Sequence, residues 1–301
     1  MPSHALVATL VADPEVSSLS DAAIARAAQA LPGFSGAQWL EPGVAADLLF
    51  EGDDSALARA RAALGAALAG EPIDAIAQAV AGRRKKLLLA DMDSTLIGQE
   101  CIDELAARVG VGARVAAITE RAMRGEIAFE PALRERVALL AGLPETVIAE
   151  VLDAAITVTP GAGALVATMR AHGAYAAIVS GGFTQFTGVL AARLGFDEHR
   201  ANKLIVAAGL LAGGVAEPIL GRDAKLAALR ELRARRGLGA AETLAIGDGA
   251  NDLAMLGEAG LGVAYRAKPA VAAAAHARID HGDLTALLYA QGYARASFID
   301  P

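Results

Sequence analysis

Three short apolar runs, 87–90, 175–179 and 243–246, each stop at a polar or glycine-rich loop that begins with Asp91, Ser180 and Gly247 respectively. A run that is apolar at every position and too short for a helix suits a strand covered on both faces. Such strands are typical of parallel sheets flanked by helices. Further short strands are expected at 261–264 and 277–280, with helical segments alternating between the strands. From about residue 83 to 301 the chain is thereby restricted to an α/β architecture, a doubly wound, mostly parallel Rossmann-like sheet. In such sheets ligands meet the loops at the carboxyl ends of the strands, so the chemistry should sit in the loops just named. A helix-rich segment of about 99–156 separates the first strand from the second. It is too long for an ordinary connection and is expected to form a helical cap insertion over those loops.

The charge run Gly82-Arg83-Arg84-Lys85-Lys86 marks a seam. Before it, residues 1–82 read as strand (4–11), helix (20–30), strand (36–40), strand (45–50), helix (55–68) and strand (72–76). This βαββαβ order is that of a small ferredoxin-like α+β domain, and it resembles ACT-type regulatory domains. The loop Asp13-Pro14-Glu15-Val16-Ser17 lacks the glycine that would let the backbone approach an amino-acid ligand. A packing or dimerising module that binds no ligand therefore stays open, and with it a homodimer.

Composition removes several other classes of protein. Hydrophobic residues make up 54% of the 301 residues and charged residues 20%, which excludes an intrinsically disordered chain. The 27 basic against 34 acidic residues give a net charge of -7, so no basic surface for nucleic acid is expected. The single cysteine, Cys101, makes neither an internal disulfide nor a Cys-rich metal site. Residues 1–14 carry no Lys or Arg before a short apolar run, unlike a secretory leader. The longest uncharged stretch, 173–192, holds polar and glycine residues in its middle, so strand, loop and helix are expected there in place of a membrane span. The expectation is a cytoplasmic protein that engages no membrane.

In Asp91-Met92-Asp93-Ser94-Thr95 the two carboxylates stand two apart, so on an extended chain they face the same way. In Gly247-Asp248-Gly249-Ala250-Asn251-Asp252 the glycines allow tight backbone, and Asp252 is expected in the first turn of the next helix. Asp91, Asp93, Asp248 and Asp252 brought to one locus could not all stay ionised without a cation. Oxygen ligands at a phosphate site favour Mg²⁺. Ser180-Gly181-Gly182 offers a hydroxyl and backbone N–H groups to phosphate oxygens, and Lys225 could neutralise both a phosphate and an aspartate.

The order DxDST, SGG, a lone Lys and GDGAND resembles the haloacid dehalogenase superfamily of aspartyl phosphatases. The continuation through Leu96-Ile97 to Glu100-Cys101-Ile102-Asp103-Glu104 is similar to the phosphoserine phosphatase family within it. So are Met123-Arg124-Gly125-Glu126, Phe129 and Leu133-Arg134-Glu135-Arg136-Val137, the likeness covering about 86–288. The resemblance implies that Asp91 is the nucleophile and Asp93 the general acid and base. It further implies Mg²⁺ held by Asp91, the backbone carbonyl of Asp93 and Asp248, with Asp252 orienting a bound water and Asn251 in the same polar network. Ser180, Gly181 and Lys225 would bind the transferring phosphoryl oxygens. Glu100 would meet the substrate ammonium and Arg136 its carboxylate, while Met123 and Phe129 shield the pocket. The expected activity is hydrolysis of O-phospho-L-serine to L-serine and phosphate, the last step of serine biosynthesis. A phosphotransferase or a phosphatase for another small phosphomonoester stays open, as does a phosphate-accepting sensor module. Asp93 and the large insertion favour turnover.

Overall fold

The chain begins β1 (His4–Ala12), α1 (Asp21–Gln29), β2 (Phe34–Glu41), β3 (Ala45–Gly52), α2 (Asp54–Ala67) and β4 (Ile73–Ala79). The computed structural model describes residues 4–124 and 126–300, apart from the side chains of His4, Asp54 and Met123. Both helices start at a side-chain cap: Ser20 accepts from the Ala23 N–H at 3.2 Å and Asp53 from the Ala56 N–H at 2.9 Å. The strands form an antiparallel sheet in the order β2-β3-β1-β4, the ferredoxin-like arrangement expected. Alternation divides β1 between two cores. Leu6, Ala8 and Leu10 pack with Leu64 of α2, whereas Val11 joins the core of the larger sheet.

The rest of the chain runs β5 (Leu87–Ala90), α3 (Cys101–Arg108), α4 (Gly112–Met123), α5 (Phe129–Ala138), α6 (Val147–Ala154), α7 (Ala162–Ala171), β6 (Tyr175–Phe183), α8 (Thr184–Leu194) and β7 (Glu198–Asn202). It continues β8 (Leu204–Ala207), β9 (Leu210–Val215), α9 (Arg222–Arg235), β10 (Thr243–Gly247), α10 (Leu253–Glu258), β11 (Leu261–Tyr265), α11 (Pro269–Ala274), β12 (Ala277–Ile279) and α12 (Ala286–Ala290). Six strands in the order β12-β11-β10-β5-β6-β7 are all parallel. Leu87 and Leu89 face the core under α9 and α10, while Leu88 and Ala90 face the opposite core with α7 and α12. The uniformly apolar run is thus a strand buried on both sides of a doubly wound sheet.

The cap helices α3 to α6 fall within the expected insertion. They leave and return through a short paired stem in which Ile97 bridges Val158 and the Gly98 N–H donates to Thr157 O at 3.1 Å. The cap also rests on a hairpin that the sequence reading does not anticipate. Strands β8 and β9 are joined by Ala208 (φ +51°) and Gly209 (φ +75°), two left-handed residues in succession, as a tight hairpin turn requires. The loop between α5 and α6 adds to this hairpin through Gly142 N–H to Leu211 O at 2.9 Å and Leu211 N–H to Leu143 O at 2.8 Å. Strand β7 is also absent from the sequence reading. The 173–192 stretch is strand and helix, as expected, but β6 passes directly into α8 without a loop between them.

Buried polar groups fasten the small sheet to the large one. The Asp74 carboxylate of β4, 4% exposed, accepts N–H bonds from Asp280 at 2.8 Å, His281 at 3.1 Å and Gly282 at 2.7 Å. Gln78 donates to Ala290 O at 2.8 Å, and Arg83 pairs with Asp47 at 2.7 Å. Among the described residues no helix is long and apolar enough to cross a membrane.

Candidate active site

Strands β5 and β10 lie side by side in mid-sheet, so the chain leaves both at the same edge. Asp91 still belongs to the ladder: its N–H donates to Ile246 O at 3.0 Å, and its Oδ1 accepts from the Met92 N–H at 2.7 Å. Asp252 immediately precedes α10, one position before the helical turn expected for it, and its Oδ2 accepts from the Gly249 N–H at 3.0 Å. Gly247 must lack a side chain, because a Cβ there would collide with the Asp252 carboxyl group. One oxygen each of Asp91, Asp248 and Asp252 lies within 4.8 Å of the other two. Lys225 of α9 places its Nζ 2.6 Å from Asp91 Oδ2 and 2.6 Å from Asp252 Oδ1. It is 2% exposed and Asp252 0%, so this charge cluster is closed to solvent on that side.

Burial, and then the charge of Asp91, push the Asp248 carboxyl up to about 6, with Lys225 opposing them. The same two causes in the same order hold Asp252 above the ordinary carboxylate range. Burial works against the Lys225 ammonium, but Asp91 and Asp252 outweigh it and raise its pKa. Three carboxylates share one ammonium, leaving excess negative charge in a confined space. An all-oxygen donor set with that excess fits a hard divalent cation.

A pH dependence follows from this excess. A carboxyl whose folded pKa is raised contributes stability that is fully present below its unfolded value and is lost as pH rises through the folded value. Metal-free protein should therefore lose thermal stability between about pH 4 and pH 7 through Asp248 and Asp252. Added Mg²⁺ should return it at pH 8, and Asp248→Asn should flatten the profile. A melting temperature in EDTA that is as high at pH 8 as at pH 5 would contradict the charge excess.

Asp93 stands apart from the three-carboxylate group. Its Oδ1 accepts from the Cys101 N–H at 3.2 Å, and its Oδ2 lies over Gly182, where a Cβ would stand 2.7 Å away. Burial first, and then the charge of Glu100, raise its pKa far above that of a free aspartate, so it is held as the acid. Ser94 adopts φ +54°, and its hydroxyl donates to Glu100 Oε1 at 2.8 Å. Burial raises the Glu100 pKa, and the charges of Asp248, Asp91 and Asp103 add to it.

Ser180 is 2% exposed, and its Oγ accepts from the Gly182 N–H at 2.9 Å. Phe129 of the cap lies against this loop, with its Cζ 3.3 Å from where a Gly181 Cβ would be. Arg136 is half-buried on α5. Its Nη1 donates to Thr119 Oγ1 at 3.3 Å and its Nε to Ala132 O at 3.3 Å. Burial lowers its pKa, while the charges of Asp103, Glu100 and Asp93 pull the other way. Asn251 packs against Gly249 at the edge of the aspartate group. Met123 ends α4, and its side chain lies outside the described part, as does Gly125.

Three neighbours of the site were not singled out from sequence. Thr95 sits inside the first motif and donates to Asp248 Oδ1 at 3.4 Å, so the motif itself carried that signal. Thr119 on α4 and Asn202 at the end of β7 belong to no motif, and only the fold brings them in.

A parallel sheet with aspartates and a buried lysine at its carboxyl edge, under a helical cap, defines a class of hydrolase. The chain belongs to the haloacid dehalogenase-like hydrolases, whose family model matches residues 88–257. It is similar to a phosphoserine phosphatase of Streptococcus thermophilus, 46% identical over 200 residues that make up 66% of this chain and 93% of that protein. It is also similar to a phosphoserine phosphatase of Mycobacterium tuberculosis, 45% identical over 216 residues, 72% of this chain. The match spans 53% of that longer relative, about half its length. Among solved structures, a probable phosphoserine phosphatase from Vibrio cholerae superposes with a TM-score of 0.77 at 32% identity, covering 97% of this chain and 88% of that one.

Proposed function

We propose that this chain hydrolyses O-phospho-L-serine to L-serine and phosphate through an aspartyl-phosphate on Asp91, as the last step of serine biosynthesis in the cytoplasm. The observation that carries the reading is the group of Asp91, Asp248 and Asp252 around Lys225, with Glu100 of the cap joined to the same motif through the Ser94 hydroxyl, in a chain 46% identical to a phosphoserine phosphatase. Beyond its phosphate, phosphoserine presents one carboxylate and one ammonium, which the Arg136 guanidinium and the Glu100 carboxylate would receive. Residues 1–82 then form a ferredoxin-like domain of packing or dimerising type, and 83–301 the catalytic domain.

In the first step an Asp91 oxygen attacks phosphorus, the bond from phosphorus to the seryl oxygen breaks, and Asp93 gives its proton to that oxygen. In the second, Asp93 takes a proton from the water that attacks the aspartyl-phosphate, and the bond from phosphorus to Asp91 breaks to release phosphate. Ser180, the Gly181 backbone and Lys225 hold the phosphoryl oxygens through both steps, with Asn251 at the rim. Phe129, against Gly181, would shield the pocket from bulk water, a task the resemblance also gives to Met123. Asp91, the Asp93 carbonyl and Asp248 would hold Mg²⁺, with Asp252 behind them. When bound, the cation offsets charge on the phosphoryl oxygens.

The test is a phosphate-release panel with Mg²⁺ comparing phosphoserine, phosphothreonine, glycerol phosphate, a sugar phosphate and p-nitrophenyl phosphate. Glu100→Gln and Arg136→Ala should each lower kcat/KM for phosphoserine by about 30-fold or more, the low end of what removing one partner of a desolvated charge pair costs. Their effect on p-nitrophenyl phosphate, which lacks both partners, should be far smaller. Equal proportional losses on the two substrates would assign these residues to general structure and sink the phosphoserine reading.

A further inference from the structure

The register of β6 against β7 runs regularly through Val179↔Arg200, breaks, and resumes at Phe183↔Asn202. The break is the Ser180-Gly181-Gly182 segment, and Asn202 is the first partner beyond it. Its side chain belongs to a residue only 1% exposed and uses both kinds of amide atom: Nδ2 donates to Gly181 O at 2.8 Å and to Leu220 O at 3.3 Å, while Oδ1 accepts from the Leu220 N–H at 2.7 Å. A flipped amide would set an oxygen against two carbonyls, so the orientation is unique.

The Gly181 carbonyl and the Gly182 N–H are opposite ends of one planar trans peptide. Holding the carbonyl toward Asn202 turns the N–H the other way, and there it meets Ser180 Oγ at 2.9 Å. A hydroxyl has one proton and two lone pairs. With a lone pair of Ser180 engaged by Gly182, its proton is excluded from that direction and left to donate elsewhere. The second arm of Asn202 grips Leu220, just before Gly221 and α9, the helix that delivers Lys225 to Asp91.

We propose that Asn202 is a positioning residue for phosphoryl transfer: through the Gly181–Gly182 peptide it aims the Ser180 hydroxyl, and through Leu220 it ties that loop to the helix carrying Lys225. This rests on the reading of Ser180 as a phosphate ligand, and the experiment separates the two claims. Competitive inhibition by inorganic phosphate and phosphoserine kinetics are measured on full-length Ser180→Ala, Asn202→Ala, Asn202→Asp and the Ser180→Ala/Asn202→Ala double variant. Asp at 202 keeps the acceptor for the Leu220 N–H but cannot donate to Gly181 O, and its near-identical shape carries the comparison should the Ala variant fail to fold.

Each single variant should weaken phosphate inhibition about tenfold. Adding Asn202→Ala to Ser180→Ala should weaken it less than twofold further, because the relay has already lost its end. If Ser180→Ala leaves phosphate inhibition unchanged, the role of Ser180 fails. If Ser180→Ala weakens it but the Asn202 variants lose only kcat, or the losses multiply in the double variant, Asn202 is structural and the inference is overturned.

Discussion

Asp91→Asn should lose turnover by on the order of 10⁴-fold or more, the scale on which removal of a covalent nucleophile acts, and should form no acid-labile phosphoenzyme. The amide matches the carboxylate in shape, so it can keep the acceptor for the Met92 N–H, and Lys225 retains Asp252. Because the charge of Asp91 helps to raise both Asp248 and Asp252, its removal should also let these two ionise more readily. The variant should then be at least as stable as the parent in EDTA at pH 8. Rapid quench with radiolabelled phosphoserine reads the chemistry. A phosphoenzyme in this variant comparable to the parent's would take the nucleophile's role away from Asp91.

Lys225→Met has its largest effect where no divalent cation is present. The side chain is 3% exposed between carboxylates that are 7% and 0% exposed, so its loss leaves buried negative charge with no ammonium beside it. Breaking such a pair costs about 3 to 5 kcal/mol, which urea denaturation in EDTA at pH 8 would register as a lower midpoint. The deficit should shrink as pH falls below about 6, where Asp248 takes up a proton. Mg²⁺ should recover part of the stability but not the turnover, since the ammonium also faces the phosphoryl oxygens in the proposed reaction. Removing such a donor is worth about 10²- to 10³-fold in kcat. An unchanged urea midpoint in EDTA would show that Lys225 is not the counter-charge of this cluster.

What could be read from the sequence was set by burial on two faces. Strand β5, the 175–179 part of β6 and the 244–246 part of β10 are apolar because helices cover both sides of them, and each run stops visibly at Asp91, Ser180 and Gly247, although β6 itself continues to Phe183 and β10 to Gly247. Strand β7 is an edge strand whose residues Glu198, His199 and Arg200 face partners and solvent, so no apolar run marks it. The hairpin β8–β9 escapes for a related reason, since much of it is exposed and its order comes from docking against the cap. The aspartates are legible as motifs because each cluster is local in the chain. Lys225 gains its buried setting only when two loops 161 residues apart, those of Asp91 and Asp252, meet over α9. Asn202 carries no motif at all, and its importance lies in which carbonyl it reaches.

The Asp74 contact bears on how far the parts of this chain are interchangeable. The 280–282 backbone presents three consecutive N–H groups to a carboxylate supplied by the small sheet, and two residues later the Leu284 N–H donates to Pro160 O beside the stem of the cap. A chimaera carrying another antiparallel sheet in place of residues 1–82 would leave those three donors without an acceptor, at about 1 to 3 kcal/mol each if they stay buried. Recombination at the 82–86 seam is therefore not neutral. The natural unit of exchange comprises the small sheet together with the 280–291 segment that grips it.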